Sequence, residues 1–158
     1  MSGISTKGLN ETLKMLKKIE GNTDSILEDA LKEGIGVVTD EMRAEIQQLK
    51  SSDQRKKGEL RLPSKKDIKG LLDSLGYTPV KDDGTKFNVK AGFDGYNNVV
   101  TDKYPRGHAN QMIANSINKG TSFMQAQPFI NRTKKASQAN AIDAIQKKLD
   151  KEIDAISK

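Results

Sequence analysis

At 158 residues, with 34% apolar, 4% aromatic and 30% charged side chains, the chain is sized for one domain with a modest core and much polar surface, which argues for an exposed, helix-rich protein or for one whose polar loops order only on assembly. The absence of cysteine excludes a disulfide framework and a thiolate metal site, and no apolar run approaches the ~20 residues of a membrane span. The net charge of +6 raises nucleic acid as a partner.

The segment Met1-Ser2-Gly3-Ile4-Ser5-Thr6-Lys7 lacks the apolar centre of a signal peptide, so a cytoplasmic place of synthesis is expected. Leu9, Leu13, Leu16 and Ile19 then recur on one face of a helical period. Gly21-Asn22 ends that helix, and Asn22, Thr23 or Asp24 can cap the next. The second helix is the longest, Asp24 to Lys50, with Leu27, Leu31, Ile35, Val38, Met42, Ile46 and Leu49 in helical register. Glu28 and Asp29 lie near the positive end of its dipole. Gly34 and Gly36 each cost about 1 kcal/mol of helix propensity; they either admit another element at close range or mark a kink.

Beyond Leu49 the periodicity stops. The basic side chains fall together over residues 50–66: Lys50, Arg55, Lys56, Lys57, Arg61, Lys65 and Lys66 face only Asp53 and Glu59. Without interleaved aromatics, a solvated flexible loop at 51–66 is preferred over a nucleic-acid interface. A short helical turn follows at Asp67–Ser74. Gly76–Val80 and Lys86–Phe93 read as two strands joined by the Asp-Gly turn of Lys81-Asp82-Asp83-Gly84-Thr85. Phe87, Val89, Ala91 and Phe93 alternate with polar residues, which predicts one buried face. Pro79 cannot donate to a ladder and predicts an edge or a bulge. Val99-Val100-Thr101 reads as a further short strand. A helix from His108 to Lys119 places Met112, Ile113 and Ile117 toward the core. A last helix runs from Asn131 to Ile156 with Ile142, Ile145, Leu149, Ile153 and Ile156 as its apolar positions.

Between the last two helices stands Gly120-Thr121-Ser122-Phe123-Met124-Gln125-Ala126-Gln127-Pro128-Phe129-Ile130. Gly120 can take a positive φ just past a helix end, and Pro128 suits the first turn of the next helix. Phe123, Met124, Phe129 and Ile130 give this loop an apolar load that predicts it is pinned onto the core; a partner-docking patch is the less favoured reading. The architecture expected is α+β, a small antiparallel sheet packed against a long N-terminal and a long C-terminal helix in one domain over 1–158.

No chemistry competes with a structural role. His108 is the sole histidine, and without cysteine a zinc site is not expected. Asp82-Asp83 and Asp94-Gly95 lack the spacing of a calcium loop and are explained as turns. Ser51, Ser52, Ser64 and Ser122 have no triad partners beyond that one histidine. Gly34-Ile35-Gly36 sits inside a helical pattern and not after a strand, so it is no phosphate cradle. Neither catalytic residues, cofactor nor metal are expected.

The order of Leu71-Leu72-Asp73-Ser74-Leu75-Gly76, then Val89-Lys90-Ala91-Gly92-Phe93-Asp94-Gly95-Tyr96, then the Gly-Thr-Ser and Gln-Pro-Phe of 120–130, between flanking helices, resembles the small tail-component or head–tail joining proteins of tailed bacteriophages. The chain departs from their pattern at the 51–66 loop, where a shorter link is usual. It departs again at Asn118-Lys119, where a Glu-aromatic pair is usual. The resemblance implies a non-enzymatic virion protein that completes the tail at the head–tail interface. It also implies a ring oligomer, hexameric on assembly, that meets the head connector and the tail tube, is assembled in the host bacterial cytoplasm and is retained in the tail or neck. Other tail factors, capping the tube or standing at the tail tip, and a DNA-binding module working through residues 50–66 with Arg132, Lys134 and Lys135 remain alternatives. The expected docking residues are Arg55, Lys56, Lys57, Arg61, Lys65 and Lys66 of the loop with Asp82, Asp83 and Gly84 of the hairpin tip. Gly120, Phe123, Met124, Pro128 and Phe129 form the expected structural core loop.

Overall fold

A computed structural model of the protein describes residues 23–97 and 99–156. Its elements, in chain order, are α1 (Thr23–Gln47), α2 (Lys65–Ser74), β1 (Leu75–Tyr77), β2 (Lys81–Asp82), β3 (Phe87–Asn88), β4 (Ala91–Phe93), α3 (Asn110–Lys119) and α4 (Phe129–Ile156). The helix expected around Leu9–Ile19 lies outside the described residues. The fold is α+β, with α1 packed along α4 as its most extensive contact.

The heptad-like spacing of α1 buries Leu27, Leu31, Ile35, Val38, Met42 and Ile46. The helix stops three residues before the expected Lys50, in a tightened turn where Gln48 and Leu49 donate to the carbonyls of Glu45 and Ile46. Leu49 is buried all the same. The two glycines separate cleanly. A Cβ on Gly34 would lie 2.5 Å from Ile145 Cγ1 on α4, so this glycine is what lets the two helices approach. A Cβ on Gly36 would meet nothing within 4 Å.

The buried stripe of α4 runs through Ala141, Ile145 and Leu149. It continues toward the N-terminus through Ser137 and Thr133, whose hydroxyls donate to the carbonyls four residues earlier at 2.6 and 2.8 Å and so enter the core satisfied. Ile142, expected inside, is 46% exposed: it follows Ala141 by about 100° around the helix and falls off that stripe.

The expected two strands form a hairpin whose ladder breaks in the middle. β1 pairs antiparallel with β4 (Leu75 opposite Phe93, Tyr77 opposite Ala91), and β2 with β3 (Asp82 opposite Phe87). Between the two ladders stands Pro79, and Thr78 alone bridges to Lys90, its N–H donating to the Lys90 carbonyl at 2.8 Å. Phe87, Val89, Ala91 and Phe93 are all buried, as the alternation predicts. At the tip Gly84 has φ +86° and donates to Asp82 Oδ1 at 2.8 Å. Val99–Thr101 is not a strand. Both valines are exposed, and Thr101 exchanges backbone hydrogen bonds with Tyr104 in a turn.

One part of the core joins the N-terminal half of α1 to α4 and to Phe87, Val89 and Ala91. The other gathers Met42, Ile46, Leu71, Ala114, Ile117, Met124 and Phe129, with Phe93 and Phe129 edge to face at 6.2 Å. α2, α3 and α4 each begin two residues from the expected start, and two of these starts have visible caps. Ser64 and Asp67 form a reciprocal capping box that starts α2 at Lys65. Asn118 Oδ1, buried on α3, accepts from Ile130 N at 3.0 Å and thereby caps α4 from another helix. α3 starts at Asn110, two residues after His108. Among the described residues no helix is long and apolar enough to cross a membrane.

Candidate docking site

The loop after α3 is built by three local devices. Gly120 has φ +74°, donates to Ser116 O at 2.8 Å, and has no room for a side chain, since a Cβ would lie 2.9 Å from that of Ala126. Thr121 Oγ1 accepts from both Phe123 N (3.1 Å) and Met124 N (3.0 Å), folding 121–124 into a tight turn. Gln127, itself buried, donates its backbone N–H to Ile117 O at 2.7 Å. Its side chain clasps the backbone of Lys50, three residues beyond α1: Oε1 accepts from Lys50 N and Nε2 donates to Lys50 O, each at 2.9 Å. Pro128 then leads directly into α4.

This turn divides the apolar residues that the sequence groups together. Met124, Phe129 and Ile130 are buried, whereas Phe123 is 77% exposed. The expectation that Phe123 is pinned to the core is therefore wrong. Successive side chains of the Thr121 turn point to opposite sides, and the inner side belongs to Met124. Met112, also expected inside, is 40% exposed on α3, where the core face follows Ala114 and Ile117.

The basic loop is stitched to the same turn. Arg61 N donates to Phe123 O at 2.8 Å, and Gln125 N donates to Arg61 O at 3.0 Å. The base of the loop is tied by Ser52 N to Pro63 O and by Lys65 N to Asp53 Oδ1, both 3.0 Å. Between loop, turn and α3 lies an open cleft of about 1130 Å³. Arg55, Lys56 and Arg61 line one side, and Phe123, Met112 and Ile113 line the other. His108 stacks against Tyr104 on its wall, ring centroids 4.2 Å apart.

Of the sequence-predicted docking residues, the structure thus brings Arg55, Lys56 and Arg61 together with Phe123. Lys57 is exposed outside the cleft lining, and Lys65 and Lys66 stand in the first turn of α2. Asp82, Asp83 and Gly84 are exposed at the hairpin tip and do not line the cleft. Among the described residues, no basic side chain of 50–66 forms an ion pair. At the tip, hydrogen bonds from the Thr85 hydroxyl and from the Thr85 and Lys86 backbone hold the Asp83 carboxyl down to about 2. No group of acidic or histidine side chains among the described residues could hold a metal ion.

Sequence reasoning missed the Gln127–Lys50 clasp, the Arg61–Met124 bridge and the outward turn of Phe123. Only Thr121, an ST-turn residue two and three positions before the phenylalanine and methionine, signals the last of these. Comparison with family models, with curated proteins and with solved structures finds no match to this chain.

Proposed function

We propose that this protein is a non-enzymatic structural subunit of the virion of a tailed phage or prophage, which joins or completes the tail at the head–tail interface as a ring. The motif order between the flanking helices supports the reading, and one observation carries it. The loop in which that resemblance is most specific is held by hydrogen bonds to α3, to Lys50 beyond the end of α1 and to Arg61 of the basic loop, yet presents Phe123 to solvent at 77% exposure. A fixed, exposed phenylalanine offers about 1.5–3 kcal/mol when a partner covers it, without the ordering cost of a mobile segment. Beside it, Arg55, Lys56 and Arg61 supply a cationic rim that steers an acidic partner surface.

In this reading the Phe123 cleft meets a neighbouring subunit or the tail tube, and the hairpin tip at Asp82–Gly84 offers a second contact, as a head-to-tail ring requires two different surfaces. Electron microscopy of the purified protein, alone and mixed with purified tail tubes and connectors, tests it. Rings, or density capping tube ends at the connector face, support the proposal. Binding at the opposite tube end alone supports a tail-tip factor instead. A salt-dependent shift of duplex DNA with neither rings nor tube binding overturns the proposal in favour of a DNA-binding module.

A further inference from the structure

A second cleft, about 990 Å³, lies between α2, the β1–β4 ladder and the turn at 94–97. Its depth holds Asn110, only 6% exposed. The amide orientation of Asn110 follows from its hydrogen bonds: Nδ2 donates to Asp94 O at 2.8 Å while the backbone N–H donates to Gly95 O at 3.0 Å. Oδ1 is left accepting no hydrogen bond from any described residue. A buried amide oxygen without a donor is uncommon, since it carries its full desolvation penalty.

Access to that oxygen depends on a glycine. A Cβ on Gly70, in the interior of α2, would stand 3.6 Å from Asn110 Oδ1 and would roof it with a methyl group. Gly70 lies in a helix where alanine is intrinsically preferred, and no clash demands the glycine. Around this window stand two half-exposed tyrosines, Tyr77 and Tyr96. Lys66 and Lys90 lie on the rim without a carboxylate partner among the described residues. The other charges there are engaged: Lys69 pairs with Asp73 at 2.6 Å, and Asp94 Oδ1 accepts from Gly95 N at 2.8 Å.

We infer that this cleft binds a nucleotide whose base carries an exocyclic amino group, as cytosine, adenine and guanine do, with the amine donating to Asn110 Oδ1. The tyrosine rings offer the base a stacking surface, and Lys66 and Lys90 receive the phosphate. The two aspartates at the rim keep the cleft from being a general anion trap, so recognition rests on the base. Uracil, which places a carbonyl where cytosine has its amine, sets two acceptors against each other. The same chemistry is offered by a free mononucleotide and by a base of a single strand.

Titration of the 158-residue chain by calorimetry and amide chemical shifts, with CMP, AMP and UMP and with short oligo-dC and oligo-dT strands, tests the inference. CMP and AMP bind about tenfold or more tighter than UMP, the difference expected for one buried hydrogen bond replaced by an opposed acceptor. Gly70→Ala folds at least as stably as the parent and loses about tenfold in CMP affinity. Lys90→Gln weakens CMP and leaves cytidine unchanged. Equal affinity for CMP and oligo-dC identifies a mononucleotide site; a large advantage for oligo-dC over both CMP and oligo-dT identifies a strand site. Absence of binding by all these ligands, equal binding of CMP and UMP, or unchanged CMP affinity in Gly70→Ala overturns the inference. These outcomes are separate from the proposed ring, whose contacts are assigned to the Phe123 cleft and the hairpin tip.

Discussion

Gly34 and Gly36 offer an internal control on how α1 and α4 meet. Replacing either by alanine adds one methyl group to the same helix, two residues apart, and each change gains about 1 kcal/mol of helix propensity. At Gly36 nothing lies within 4 Å of the new Cβ, so the gain stands alone. At Gly34 the new Cβ falls 2.5 and 2.6 Å from Cγ1 and Cδ1 of the fully buried Ile145 and 3.3 Å from Ala141 O. Carbon pairs prefer about 3.5–4.0 Å, so the overlap is about 1 Å and must be relieved by Ile145 or by the helix axis. Overpacking of this kind costs about 1–3 kcal/mol. Propensity cancels between the two variants, and Gly34→Ala should be less stable than Gly36→Ala by about 1–3 kcal/mol. Urea unfolding measures this directly: a 2 kcal/mol gap separates the midpoints by about 1 M for a slope of about 2 kcal/mol/M. Ile145→Val, which removes Cδ1, should cost less in the Gly34→Ala background than in the parent. If the two alanine variants prove equally stabilised, the helices do not meet at Gly34 and the description of the core is wrong.

Gln127→Ala should lose both hydrogen bonds to Lys50 and leave that backbone pair short of partners, a destabilisation of about 1–3 kcal/mol by chemical denaturation, with amide exchange at Lys50 rising most. Asn118→Ala removes the cap on α4 and should cost about 1 kcal/mol, with fraying confined to the first turn of that helix. At the hairpin tip, the Asp83 carboxyl is depressed from its ordinary 3.8 to about 2, so its contribution is present above about pH 4 and disappears as pH falls through about 2. An NMR titration should give a midpoint near 2 for Asp83, moving back toward 3.8 in Thr85→Ala; an ordinary midpoint in the parent would show that the tip is not formed.

Much of the fold could be read from residue spacing, because spacing reports burial directly. The stripe of α1 and the alternation of 87–93 each follow from a fixed period, and Pro79 and Gly84 mark where the ladder breaks and turns. The helix starts were less legible, since the caps at Ser64 and Asn118 depend on which side chain reaches which N–H, in the latter case from another helix. Burial in the non-periodic loop was legible only in part: Met124 is buried as its apolar character suggests, and Phe123 is not. Phe123 and Met124 are neighbours of similar apolarity, and only the backbone turn around Thr121 decides that one is core and the other surface. The same holds for the clefts: Arg61 meets Phe123 across 62 positions of chain, and Asn110 meets Gly70 across 40, through contacts that no local pattern encodes.

The exposed ring at position 123 is the feature on which the proposed assembly role depends. The direct measurement is analytical ultracentrifugation and imaging of Phe123→Ala beside the parent, at matched concentration and with tail tubes present. The expected result is an unfolding free energy within about 0.5 kcal/mol of the parent, as for a surface substitution, together with loss of rings and of tube attachment. Undiminished assembly by a well-folded Phe123→Ala protein would contradict it.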